Sequence, residues 1–233
     1  KEDGVEYRVN GHHTSTMIAE APADLIKNLR AQVIRYECET LEDVASLWAT
    51  FDNKSTMRSH RDVYSAYAGT MIAFDDVAVQ SIQIAAAGFG LFKDPEKGRG
   101  GRLASEDKGQ LLIQHSDFVL WLDLMMRDRE GYHLRRAPVA GAMFETFQKD
   151  QQAARDFWHL VKTGEGIKTR APDRLLQKFL LTTSIGIGRT SANTCIASQR
   201  EVYCRCITAW NAWRKGSVTD MKYYRGAKVP RAV

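Results

Sequence analysis

The chain has 233 residues, 44% hydrophobic and 26% charged, with a formal net charge of +5. That is globular composition, and no apolar run approaches the roughly 18 residues a bilayer crossing needs. Residues 1–20 are polar and carry no apolar signal-peptide core, so a cytoplasmic protein without membrane contact is expected.

Val5, Tyr7 and Val9 alternate with polar residues, the period of a strand, and Asn10-Gly11 turns the chain. A short helix is predicted over Thr14–Ala21, halted by Pro22, with a connector or second short helix at 24–30. Gln32–Cys38 is predicted as a second strand with Ile34, Tyr36 and Cys38 on one face. Thr40, with Asp43 three residues on, has capping-box spacing. Leu41, Val44, Ala45, Trp48 and Phe51 then keep helical period. This β-α-β-α order predicts a small, partly parallel or mixed sheet.

Beyond about residue 56 the strand signal stops. Helices are predicted over Met57–Ala73, Asp75–Ala87, Ser105–Arg127, Val139–Phe147, Gln151–Lys162 and Asp173–Leu181. Residues 88–102 form a Gly/Lys/Arg loop. Ser191 or Asn193 is expected to cap a long helix through Trp210 and Trp213 to Lys215, and Thr219–Tyr224 a last turn. The fold expected is α+β: a mixed-sheet α/β head over residues 1–70, then an all-helical domain over 71–233.

Two features carry chemistry. Strand, Asn10-Gly11 turn and helix aim backbone N–H groups and a helix N-terminus at one spot, which favours phosphate. Gly11 admits a ligand close to the backbone, His12 and His13 project from the turn, and Thr14, Ser15 and Thr16 add hydroxyls. The second feature is charge asymmetry. From Cys204 onward there are seven Lys or Arg against one acid, Asp220, and Lys93, Lys97, Arg99 and Arg102 form another cluster. Both suit a polyanion. Trp210 to Lys215 mixes aromatic and basic residues, which fits either base stacking or core packing at a helix C-terminus. Cys204-Arg-Cys206 is too tightly spaced for a zinc knuckle, so no metal site is expected. The four cysteines are expected to be reduced thiols.

Val9-Asn10-Gly11-His12-His13, then Arg35-Tyr36-Glu37, then Thr40-Leu41-Glu42-Asp43-Val44-Ala45 resemble, in order and spacing, the ParB/sulfiredoxin-like superfamily. Phe51-Asp52-Asn53 followed by Arg58, Arg61 and Asp62 is similar to the segment that holds nucleotide phosphates in ParB clamps. The resemblance spans about residues 4–70. It implies a DNA-associated protein of phage or mobile-element type, working in the bacterial host cytoplasm. A nucleotide or DNA phosphate would bind at Asn10, Gly11, Thr14, Ser15, Asn53, Arg58 and Arg61. As a nuclease or phosphotransferase it would use His12 or His13 as acid/base, with a nucleoside triphosphate and Mg²⁺ as the implied cofactor. Two departures matter. The family closes its turn with Arg, where Thr14 stands here. Sulfiredoxins carry a nucleophilic Cys where His12 stands, so sulfinic-acid reduction is not expected. The alternative is a non-catalytic DNA- or protein-binding module acting through its basic helical body, with Lys93, Lys97, Arg99, Arg102, Arg214 and Lys215 on nucleic acid. A homo-oligomer is left open.

Overall fold

A computed structural model describes residues 6–27, 29–51, 60–95, 103–165, 170–185 and 195–233. The expected mixed-sheet head is not there. Residues 6–9 and 31–38 adopt neither helix nor strand, and among the described residues no ladder joins them to each other or to a third strand. The strands among the described residues are β1 (Thr183–Ile185) and β2 (Cys195–Ala197), in the helical body, paired in parallel with Thr183 opposite Cys195. The molecule is otherwise helical. Alternation of apolar and polar residues does not by itself make a strand, because a strand also needs a partner segment for its backbone groups.

The head consists of α1 (His12–Glu20), α2 (Ala23–Ile26) and α3 (Leu41–Thr50). Thr40 caps α3 as its spacing predicts: its hydroxyl accepts from Asp43 N–H at 3.1 Å, and the Asp43 carboxylate accepts from Thr40 N–H at 2.9 Å. Ala45 and Trp48 on α3 meet Val63 and Tyr67 of α4 (His60–Ala68), and this small cluster fastens head to body.

The body is built round α8 (Ala137–Lys149), whose residues 138–147 are all buried. Its main neighbours are α5 (Val79–Lys93) and α11 (Gln199–Arg214), with α9 (Gln151–Thr163) also against it. α5 and α8 cross at two glycines. A Cβ on Gly88 would sit 2.8 Å from Gly141 N, so only glycine permits this approach. α6 (Ser105–Gln114) lies against α4 and α5, and α7 (Ser116–Met126) against α5. α10 (Pro172–Thr182) lies on α9 and α11. The ring cluster Phe89, Phe118, Phe144 and Phe147 fills the space between α5, α7 and α8, with centroids 4.7–5.9 Å apart.

Several boundaries differ from expectation. The single helix predicted over Ser105–Arg127 is two, because His115 (φ −120°, ψ 40°) leaves helical geometry between α6 and α7. The Gly/Lys/Arg loop starts later than residue 88: α5 runs through Gly88 and Gly90 to Lys93, since tight packing on α8 outweighs the low helix propensity of glycine. α11 begins at Gln199, capped by Ser198, which accepts from Glu201 N–H at 3.1 Å. Ser191 and Asn193 lie outside the described residues. Thr219–Tyr224 forms no helical turn.

Three buried polar anchors hold the helices in register. Asp123 on α7 accepts from Ser81 Oγ (2.7 Å), Ala78 N–H (3.2 Å) and Arg127 Nη2 (2.6 Å), tying α7 to the start of α5. Trp158 Nε1 on α9 donates to Thr146 Oγ1 of α8 at 2.9 Å. Glu145, on the buried stretch of α8, accepts from Tyr203 Oη, from Ala232 N–H at 2.7 Å and from Arg231 Nη1 at 3.3 Å. Residues 217–233 are thereby strapped back over α11. Asn211 Nδ2 donates to Arg231 O, and Trp210 Nε1 to Val233 O.

Candidate functional site

Gly11 is the N-cap of α1 in the left-handed region (φ 75°, ψ 20°), and a Cβ there would meet nothing within 4 Å. The turn's open face is therefore backbone, as the Asn-Gly signal implies. Asn10 Oδ1 accepts from Gly11 N–H at 2.7 Å, and Ser15 N–H closes the first helical bond onto Gly11 O at 2.9 Å. The first turn of α1 contains no acidic residue.

Arg8, a residue outside the expected set, completes the turn. From the segment before the turn it reaches over the first turn of α1. Its Nη1 donates to Ser15 Oγ at 2.6 Å and lies 3.3 Å from His12 Nδ1. Ser15 Oγ in turn donates to His12 O at 2.9 Å. A guanidinium over a helix N-terminus faces the positive end of the dipole, a charge arrangement that an anion between them would relieve. Thr14, on the same first turn, is exposed. Nothing local announces this role, since it depends on the path of the chain before the turn.

Of the other expected phosphate ligands, Asn53 and Arg58 lie outside the described residues, as do the side chains of His13 and Arg61. Among the described residues no group of three His, Cys, Asp or Glu gathers as metal ligands would.

The basic residues divide into engaged and unengaged. Arg214 bonds Asp150 at 2.8 Å with its guanidinium over Trp210. Arg205 bonds Glu201 at 2.8 Å, Lys222 bonds Asp220 at 2.7 Å, and Arg231 reaches Glu145. The mutual bond of Asp220 and Lys222 shifts the carboxyl down and the ammonium up from their ordinary values. Lys215, at the C-cap of α11, is exposed, as are Arg225 and Lys228, and among the described residues these three form no ion pair. Lys93 is exposed on the last turn of α5, while Lys97, Arg99 and Arg102 lie outside the described residues. Trp210 is buried, and Trp213 packs on Phe157 and Trp210 at 5.4 and 5.7 Å, so neither offers a free stacking face. The exposed aromatic of this region is Tyr224, 65% accessible and adjacent to Arg225. Its signal was the run Lys222-Tyr-Tyr-Arg225, where two tyrosines are flanked by basic residues outside any helix.

Cys204 and Cys206 are buried thiols outside any disulfide, and burial pushes the Cys206 thiol up, away from reactive thiolate. No helix among the described residues is long and apolar enough to cross a membrane. No family model, no curated protein and no solved structure matches the chain.

Proposed function

We propose that the protein binds the phosphate of a nucleotide or of a nucleic acid at the first turn of α1. The observation that carries this is Arg8, whose guanidinium is held over the N-terminus of α1 beside His12 and Ser15. Gly11 leaves the backbone open to a ligand, and Arg8 and the helix dipole supply the attraction. The reading is one of binding. His12 is the one described imidazole at the turn, and it would orient a phosphate oxygen or pass a proton to it. A second reading places a longer polyanion along residues 215–228, on Lys215, Arg225 and Lys228 with a base stacked on Tyr224.

Fluorescence anisotropy separates the two, with labelled nucleoside triphosphate and labelled single-stranded DNA, against Arg8→Ala and against the triple variant Lys215→Ala/Arg225→Ala/Lys228→Ala. A hydrogen bond to a charged group is worth about 1.5–3 kcal/mol, so Arg8→Ala should weaken nucleotide binding roughly 10- to 150-fold. Unchanged nucleotide affinity in Arg8→Ala would remove the α1 reading. The triple variant should leave the nucleotide alone and flatten the salt dependence on DNA by about 0.7 per lost phosphate contact. If DNA binding keeps its slope, the second reading fails.

A further inference from the structure

Residues 217–233 belong to no helix and no strand, yet side chains of α8 and α11 hold their main chain group by group. Arg205 Nη1 donates to Met221 O at 2.7 Å, and Arg200 Nη2 donates to Ala227 O. Around Ala232 these bonds become continuous. Asn211 Nδ2 donates to Arg231 O at 2.8 Å, while Asn211 Oδ1 accepts from Val233 N–H at 3.0 Å. Glu145 Oε1 accepts from Ala232 N–H at 2.7 Å, and Trp210 Nε1 donates to Val233 O at 3.2 Å. A side-chain amide that serves residue 231 through its carbonyl and residue 233 through its N–H takes the place of a peptide group in a neighbouring strand.

Main-chain bonds give such a face its affinity, and side-chain contacts give it selectivity. Arg231 Nη1 reaches Glu145 Oε2 at 3.3 Å, and the side chains of Val229 and Ala232 are buried. The pattern read is aliphatic, Pro, Arg, small, over Val229-Pro230-Arg231-Ala232. The face itself is held by groups outside the segment. Glu145 keeps the Tyr203 hydroxyl as a donor, and Trp210 packs on Phe157 and Trp213 with ring centroids 5.6 and 5.7 Å apart. Asn211 stands on the same helix, whose start is capped by Ser198. The segment is held more lightly. Met221, Val229 and Ala232 are its buried residues, and Met221 occupies the left-handed region (φ 48°), which a residue bearing a side chain adopts at a cost. Gly216 (φ 60°) and the exposed Ser217 and Val218 join it to α11, where a change of path is absorbed.

We infer that this face of α8 and α11 is a peptide-recognition site, occupied within one chain by residues 229–233, and that it takes the same segment from a second copy. Every copy carries the segment, and exchange replaces each bond by its equivalent. The site shares no residue with the α1 turn.

Two variants of the full chain separate segment from site. Ala232→Pro removes the N–H that Glu145 accepts and leaves the side chains of the face in place. Asn211→Ala removes the clamp and leaves the segment intact. A labelled peptide of residues 225–233 should bind the Ala232→Pro chain roughly tenfold or more tightly than the unaltered chain, whose own segment competes, as fluorescence anisotropy measures. The Arg231→Glu peptide should not bind, and adding Asn211→Ala to the Ala232→Pro chain should abolish binding. In sedimentation velocity the Ala232→Pro and Asn211→Ala chains should each be monomeric alone and form a dimer when mixed, the segment of the second seated on the face of the first. Where circular dichroism shows Ala232→Pro unfolded, Arg231→Glu, on a side chain 56% exposed, replaces it in both assays. No peptide binding, equal affinity for the two chains, or binding indifferent to Asn211→Ala would overturn the site. A peptide that binds while the mixed chains stay monomeric would overturn the second copy as occupant and assign the face to a segment of another protein.

Discussion

Gly88→Ala tests the centre of the fold. At an uncrowded helix-interior position, alanine is more favourable than glycine by about 1 kcal/mol, so the default expectation is a gain in stability. At Gly88 the new Cβ would lie 2.8 Å from Gly141 N and 3.0 Å from both the carbonyl carbon and the Cβ of Ala140. The nearest atoms belong to backbone, so no rotamer change relieves the contact and α5 must move off α8. Overpacking of this kind costs about 1–3 kcal/mol, and rigid surroundings put it near the upper end; the helix-propensity gain then leaves a net loss of about 2 kcal/mol. For a chain of this size that lowers Tm by about 4–8 °C. Gly141→Ala meets Gly88 O at 2.9 Å and should cost a similar amount. The double variant should lose less than the sum, because helices already parted by one methyl accommodate the second. Urea unfolding followed by helical circular dichroism measures all three. Equal or higher stability in Gly88→Ala would show that α5 and α8 do not approach this closely.

Two further outcomes follow from the buried polar groups. Tyr203→Phe removes the hydroxyl that donates to Glu145 and leaves a buried carboxylate short of one partner. A loss of about 1–3 kcal/mol is expected, together with faster exchange of the Ala232 amide, which donates to the same carboxylate; an unchanged urea midpoint would remove Glu145 as an anchor. Burial holds the His133 imidazole below its ordinary value while its Nε2 lies 3.0 Å from Val161 O. A depressed folded value means that the unfolded chain binds the proton more readily. The stabilisation is therefore full above about pH 6.5 and is lost as pH falls below it. His133→Gln should reduce the decline in urea midpoint between about pH 7.5 and 5, and parallel curves would refute the assignment.

Most of the helices were legible because their signals are local. Thr40 with Asp43, Gly164 in the left-handed region at the end of α9, and Pro172 in the first turn of α10 each act within one helical turn of where they stand. The misplaced boundaries depend on distant residues. α5 persists through Gly88 and Gly90 because α8 packs on it, and nothing near residue 88 announces α8. The break at His115 is likewise tertiary: its ring sits 4.8 Å from Phe144 and 6.1 Å from Phe89, holding the end of α6 against a core assembled from other helices.

The candidate sites divide in the same way. The Asn10-Gly11 turn was readable, since a left-handed glycine before a helix is a local matter. Arg8 as its lid was not, because that depends on the path of the preceding segment. Among the basic residues, sequence charge counts Arg214 and Lys215 alike, yet Asp150, sixty-four positions away, binds the first and leaves the second exposed.

The head shows what alternation means physically. A period of two records that successive side chains point to opposite sides of an extended backbone; it says nothing about which chain supplies the hydrogen bonds. Ile34, Tyr36 and Cys38 alternate with Arg35 and Glu37, yet among the described residues this segment belongs to no sheet. Alternation therefore reports a local preference for placing side chains on two sides, while a sheet is a property of the pairing between segments that lie apart in sequence.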